Sequence, residues 1–190
     1  MEATEYIDHN FEKVVQVGKV ITGKEFQSCT FKNCDFSNSQ FLNSKFLDCT
    51  FYDCNLSMMK LSGSTLSNTQ FTGCKSLGII FSECQDFLFS ADFKNCILDY
   101  SSFFGKKMPK TNFIQSSLRG VNFTQTNLSG AVFDLSDLSG AIFSDTDLRT
   151  ANLTTAFNYS LDPEFNMLKK ARFSSDGIAG LLTKYDIKIV

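Results

Sequence analysis

The stretch GVNFTQTNLSGAVFDLSDLSGAIFSDTDLRTANL, Gly120 to Leu153, carries a large apolar side chain at every fifth position: Phe123, Leu128, Phe133, Leu138, Phe143, Leu148 and Leu153. Two residues before each stands a small one: Val121, Thr126, Ala131, Ser136, Ala141, Thr146 and Ala151. An amphipathic helix would need apolar spacings of three and four, and a strand a spacing of two. A period of five fits neither. Working outward, the same frame runs back through Leu118, Phe113, Met108, Phe103, Leu98, Phe93 and Leu88. A second frame runs from Phe26 through Phe31, Phe36, Phe41, Phe46, Phe51, Leu56, Leu61, Leu66 and Phe71, misses at Ser76, and ends at Phe81. The two are out of step by two residues, so either a two-residue bulge or a bend or binding loop is expected within 82–87. The small position holds every cysteine: Cys29, Cys34, Cys49, Cys54, Cys74, Cys84 and Cys96. Met59, Ile79 and Lys106 are the exceptions to smallness there.

One such unit cannot bury its own Phe, so many must stack. Four units make a four-sided coil of about twenty residues, and coils stack at the strand spacing of ~4.8 Å. Residue i then lies beneath residue i+20. About twenty-six units over residues 22–157 give about 6.5 coils, a rod of roughly 31 Å. Cys29 is expected under Cys49, and Cys34 under Cys54 and Cys74, as buried thiols. Glu25 should meet Lys45, and Asp99 should meet Arg119, as exposed pairs of little individual worth.

This pattern resembles the pentapeptide-repeat family, whose repeat is A(D/N)LXX. The resemblance implies an all-β solenoid, a right-handed quadrilateral β-helix. Residues 1–21 keep Phe11 and Ile21 in frame but not Gln16, and read as an N-terminal strand and partial coil acting as a cap. Residues 22–157 are the β-helix. Residues 158–190 lose the pattern and read as a C-terminal cap and possible dimerisation element. There, Asp162-Pro163 is a helix-start signal, with a short turn of helix expected over 166–170. Ile178, Leu181, Leu182 and Tyr185 share one helical face, weakened by Gly177 and Gly180. Tyr185, Ile187 and Ile189 alternate as in a strand. The expected cap is thus a helix and a short strand, and Ile178, Leu181, Leu182, Ile187 and Ile189 are the candidate contacts of a homodimer.

Composition narrows the function. The chain has 190 residues, with 18 basic and 20 acidic side chains, a net charge of −2, 21 Phe, no Trp and 2 Pro. That excludes a strongly basic nucleic-acid binder, and no apolar run is long enough to span a membrane. The start, MEATEYIDHNFEKVV, is polar and acidic rather than leader-like, so a cytoplasmic location is expected, where seven cysteines stay reduced. The one histidine, His9, has no catalytic partner, and the cysteine spacings are not those of a zinc site. No enzyme activity, cofactor or metal is expected.

Between Gly120 and Glu164 the acids Asp134, Asp137, Asp145, Asp147, Asp162 and Glu164 face only Arg149. Asp134, Asp137, Asp145 and Asp147 are the candidate acidic partner surface. Two readings stay open. One is a non-catalytic interaction rod with an unassigned partner. The other follows from the segment SLDPEFNMLKKARFSSDGIAGLLTKYDIKIV, which resembles the C-terminal cap of the bacterial quinolone-resistance and topoisomerase-poison immunity branch. That likeness implies a dimeric mimic of duplex DNA that binds DNA gyrase or topoisomerase IV, acids standing in for phosphates, and shields it from quinolones or toxins. On either reading the partner is neither nucleic acid nor a membrane.

Overall fold

The structure, a computed structural model, describes residues 2–188. The chain winds into an all-β solenoid of about eight stacked coils. Among the described residues all strand pairs are parallel, and away from the insertion at 82–87 the step is twenty residues: Glu5–Ile7 pairs with Glu25–Gln27, Asn10–Glu12 with Thr30–Lys32, and Val20–Thr22 with Gln40–Leu42. The segment before residue 22 therefore lies in coil register, strand by strand. At the other end Thr146–Asp147 pairs with Asn166–Met167 and Asn152–Leu153 with Arg172–Phe173. Coils at both ends account for the excess over the expected 6.5.

The large residues of each wall stack inward. Phe11, Phe31, Phe51, Phe71, Phe93, Phe113 and Phe133 form one near-parallel column with ring centroids 4.5 to 5.4 Å apart. Phe81, Phe103, Phe123 and Phe143 form a second. Rings of neighbouring walls meet edge to face, as Phe113 and Phe123 do at 5.6 Å and 74°, the geometry the ring quadrupole favours. All seven cysteines are buried free thiols. Sulfur atoms hydrogen-bond to backbone carbonyls of the coil below: Cys49 Sγ donates to Phe26 O at 3.3 Å and Cys74 Sγ to Phe51 O at 3.4 Å.

Turning the chain every five residues requires a left-handed residue at most corners. Asn33, Asn38, Asn43, Asp48, Asp53 and Asn68 sit there with φ between 49° and 56°, as do several glycines. Asn and Asp tolerate that region and Gly is indifferent to it. Gly120 is further constrained: a Cβ there would meet the Tyr100 ring at 2.8 Å, because Tyr100 leans across the corner one coil away.

Three expectations need correction. First, the frame does not resume at Leu88. Leu88 is 60% exposed with φ 59°, and Phe89 is buried instead. Thr69 pairs with Ala91, so the step here is twenty-two. Second, 166–170 is not helical. Asn166 takes the inward coil position, where its Oδ1 accepts from Thr146 N at 3.1 Å and its Nδ2 donates to Phe143 O at 3.2 Å. The ladder outcompetes a single helical turn; Asp162 instead closes a turn by accepting from Glu164 N at 2.9 Å. Third, the cap helix is two short 3₁₀ turns, Ile178–Leu181 and Thr183–Tyr185. Gly177 and Gly180 pack directly on Tyr159, and Leu161 N donates to Gly180 O at 3.0 Å, so the turns follow the shape of the coil end rather than an α-helical path. Asp186, with φ 48°, breaks the alternation that read as a strand. Ile187 is not in a strand, and Ile189 lies outside the described residues.

Candidate interaction surfaces

The four acids singled out from the sequence are not brought to one face. Asp137 and Asp147 are ten residues apart, half a coil, and so lie on opposite walls; Asp134 and Asp145 are separated almost as widely. Asp137 and Asp147 are also largely buried, at 6% and 5% exposure. Asp137 accepts from Ser139 N at 3.1 Å and Asn158 Nδ2 at 2.9 Å, and pairs with Arg119 Nε at 2.6 Å. Burial alone would raise its carboxyl, but the Ser139, Asn158 and Arg119 donors outweigh that and hold it at about 2. Arg149 hydrogen bonds to Asp147, with Nη2 2.6 Å from Oδ2, and lowers that carboxyl too. Both are neutralised, turn-closing groups. Asp134 accepts from Thr155 Oγ1 at 2.7 Å, and Asp145 is the exposed member.

Arg119 thus pairs with Asp137, not with Asp99 as the spacing suggested. The Asp99 carboxylate receives Arg119 N at 3.1 Å and Ser117 Oγ at 2.6 Å. The Glu25–Lys45 pair forms as expected, at 2.9 Å.

At the C-terminal end, Ile178 and Ile187 are about half exposed, while Leu181 packs against the core. Lys184 bridges Asp162 at 2.9 Å and Glu164 at 2.8 Å. These bonds raise the Lys184 ammonium, Glu164 contributing most, and lower Asp162. They tie the second 3₁₀ turn to the Asp162 turn. An open cavity of about 510 Å³ lies between this cap and the last coil, lined by residues including Tyr159, Ser174 and Gly177.

The most pronounced departure from a flat wall is the two-residue insertion. Phe87 is 77% exposed and stands beside Leu88 on the outside. In the coil above, Lys106 occupies an inward small-residue position at 1% exposure. Its Nζ donates to Cys84 O and to Asp86 Oδ1, the latter at 2.7 Å, and lies 5.1 Å from the Phe89 ring centroid. Burial holds the Cys84 thiol up at about 12 against the pull of that ammonium. The sequence flagged both parts, the frame slip and the misplaced lysine, but not that they belong together; the clue was that Lys106 falls twenty residues after Asp86.

A solenoid of five-residue units, with inward large and small columns and Asn, Asp or Gly corners, defines a repeat-protein class. The pentapeptide repeat region matches residues 24–103, and pentapeptide repeats in eight copies match residues 116–154. Together they cover more than half of the sequence, and the chain belongs to the pentapeptide-repeat family. No curated protein sequence matches it significantly. Among solved structures, a trypsin-treated form of QnrB1, a plasmid-mediated fluoroquinolone resistance protein, is similar with a TM-score of 0.69 at 20% identity, covering 95% of this chain and 100% of that one. A second trypsin-treated form gives 0.59 at 18% identity, over 99% of each chain. HetL, a pentapeptide repeat protein involved in heterocyst differentiation regulation in the cyanobacterium Nostoc, gives 0.41 at 16% identity, over 93% of each. Among the described residues no helix is long and apolar enough to cross a membrane.

Proposed function

We propose that the chain is a non-catalytic interaction rod that engages a protein partner through the insertion in its wall. The observation that carries this reading is the exposure of Phe87 and Leu88 side by side, two large apolar groups expelled where the regular coil would bury one. Exposed apolar groups held at a fixed place on a rigid scaffold are characteristic of protein contacts. The test is a photo-crosslinking residue placed at position 87 and, separately, at the wall position 124. One protein captured at 87 and not at 124 is the expected result. Equal or no capture at both sinks the reading.

A second reading is that this partner is a type II topoisomerase, DNA gyrase or topoisomerase IV, with the chain acting as a homodimeric DNA mimic. It is supported by the likeness of fold to the trypsin-treated form of QnrB1. Asp134 and Asp145 are the acids left to such a contact, since Asp137 and Asp147 are engaged internally. Ile178, Leu182 and Ile187 are the dimer contacts it would use. Supercoiling by gyrase in the presence of ciprofloxacin should recover as the protein is titrated in. Unchanged inhibition at micromolar protein rules this reading out.

A further inference from the structure

The inward corner column that contains Lys106 runs Ser44, Ser64, Cys84, Lys106, Thr126, Thr146. Each carbonyl in it is ordinarily taken by a backbone N–H from the coil above. Thr65 N donates to Ser44 O at 2.8 Å, Gln85 N to Ser64 O at 2.8 Å, Asn127 N to Lys106 O at 2.8 Å and Asp147 N to Thr126 O at 2.9 Å. By the same rule Cys84 O should receive Lys107 N. It receives the Lys106 ammonium instead. The cause is the insertion. Gln85 is still in step, Ser90 is back in the ladder through Leu66 O at 3.0 Å, and the residues between them no longer match the wall above. Phe89 fills the interior, while Phe87 and Leu88 are pushed out.

We infer that Lys106 is a positioning residue, a buried clamp that replaces the hydrogen bond the insertion removes and fixes the outward projection of Phe87 and Leu88. A buried ammonium is tolerated only where it is fully partnered. Here a carbonyl, a carboxylate and a ring face supply that. A Ser or Thr, the residues that fill most of this column, is too short to reach from the Lys106 position to the segment below. The Asp86 side chain is 78% exposed, so the outer jaw of the clamp is open to water. That Phe87 and Leu88 make contacts rests on the interaction-rod reading; the clamp itself does not.

The test is hydrogen exchange of the amides in 84–89 measured against those of the next, unbroken wall around Phe113. Lys106→Met keeps the volume and removes the donor. Exchange in 84–89 should rise at least tenfold, with the Phe113 region unchanged. A folded Lys106→Met protein whose 84–89 protection equals that of the unmodified chain overturns the clamp. Asp86→Asn alters only the exposed jaw and should give a smaller rise in the same segment; a rise elsewhere but not there also overturns it. Should Lys106→Met not fold, Lys106→Thr combined with deletion of Phe87 and Leu88 restores the twenty-residue step and should fold with the thermal midpoint of the unmodified chain or higher. If this combination is no more stable than Lys106→Thr alone, the clamp is wrong. Cross-linking from position 87 separates the two claims. Lys106→Met that exchanges faster yet cross-links as before refutes the positioning role. Absence of cross-linking in the otherwise unmodified chain is a failure of the interaction reading and leaves the exchange result standing.

Discussion

Phe123 shows how much one residue carries. It is fully buried, stacks between Phe103 and Phe143 in its own wall, and meets Phe113 and Phe133 edge-on. Phe123→Ala removes four ring contacts that no neighbour can refill without unstacking the column. It should cost about 3–5 kcal/mol by chemical denaturation. Asp137 provides the titratable counterpart. Its folded carboxyl sits at about 2, below the ~3.9 of an unfolded chain. Its contribution, on the order of 2 kcal/mol, is therefore present above about pH 4 and lost as the pH falls through 2. Asp137→Asn should lower stability at pH 7 and flatten its decline between pH 4 and 2, as read from thermal melts across that range. Both inward columns were legible in the sequence, because burial demands large and small apolar side chains at fixed spacing. The roles of Asp137 and Asp147 were not. A carboxylate that closes a turn and one that faces a partner have the same letter, and only the position of Arg119, which reaches Asp137 from eighteen residues away rather than joining Asp99, tells them apart. At the corner, Gly120→Ala meets both a positive φ and the Tyr100 ring. It should cost about 1 kcal/mol or more, and adding Tyr100→Ala should relieve the contact but not the backbone part, a difference that a double-mutant cycle reads directly.

The walls were readable as elements because every wall repeats the same question and gets the same answer. The insertion and the cap were not, and for a shared reason: each is settled by what lies across from it. Leu88 continues the numerical frame, yet Phe89 goes inside, where its ring gives the Lys106 ammonium a face to rest on. In the cap, the apolar spacing of Ile178, Leu181 and Leu182 fits a helix, yet Gly177 and Gly180 lie so close to Tyr159 that the backbone tracks its ring. This bears on the dimer proposal. Leu181 is committed to the core, so a charge there would unseat the cap as well as any partner. Ile178→Asp with Ile187→Asp is the cleaner probe. If the C-terminal element joins two copies, light scattering should show a folded monomer. A dimer that persists removes these residues from the interface.

At the scale of the whole molecule, the fold is a column of near-identical layers, each touching only the layers above and below. The stacked Phe column of one wall passes through seven of them without interruption. Such a rod should tolerate a copied layer: a second copy of residues 113–132 placed after 132 should lengthen the particle by ~4.8 Å in small-angle scattering and leave the far-UV spectrum per residue unchanged. A copied single unit of five residues should not be tolerated, because everything beyond it would be rotated by a quarter of a winding and every Phe would face the wrong neighbour. The twenty-residue step therefore quantises the length available to this chain. Relatives of different size are expected to differ by whole windings, or by small surface blisters compensated on the spot, and the number of residues between two aligned aromatic columns becomes a ruler for telling inherited duplication from local insertion.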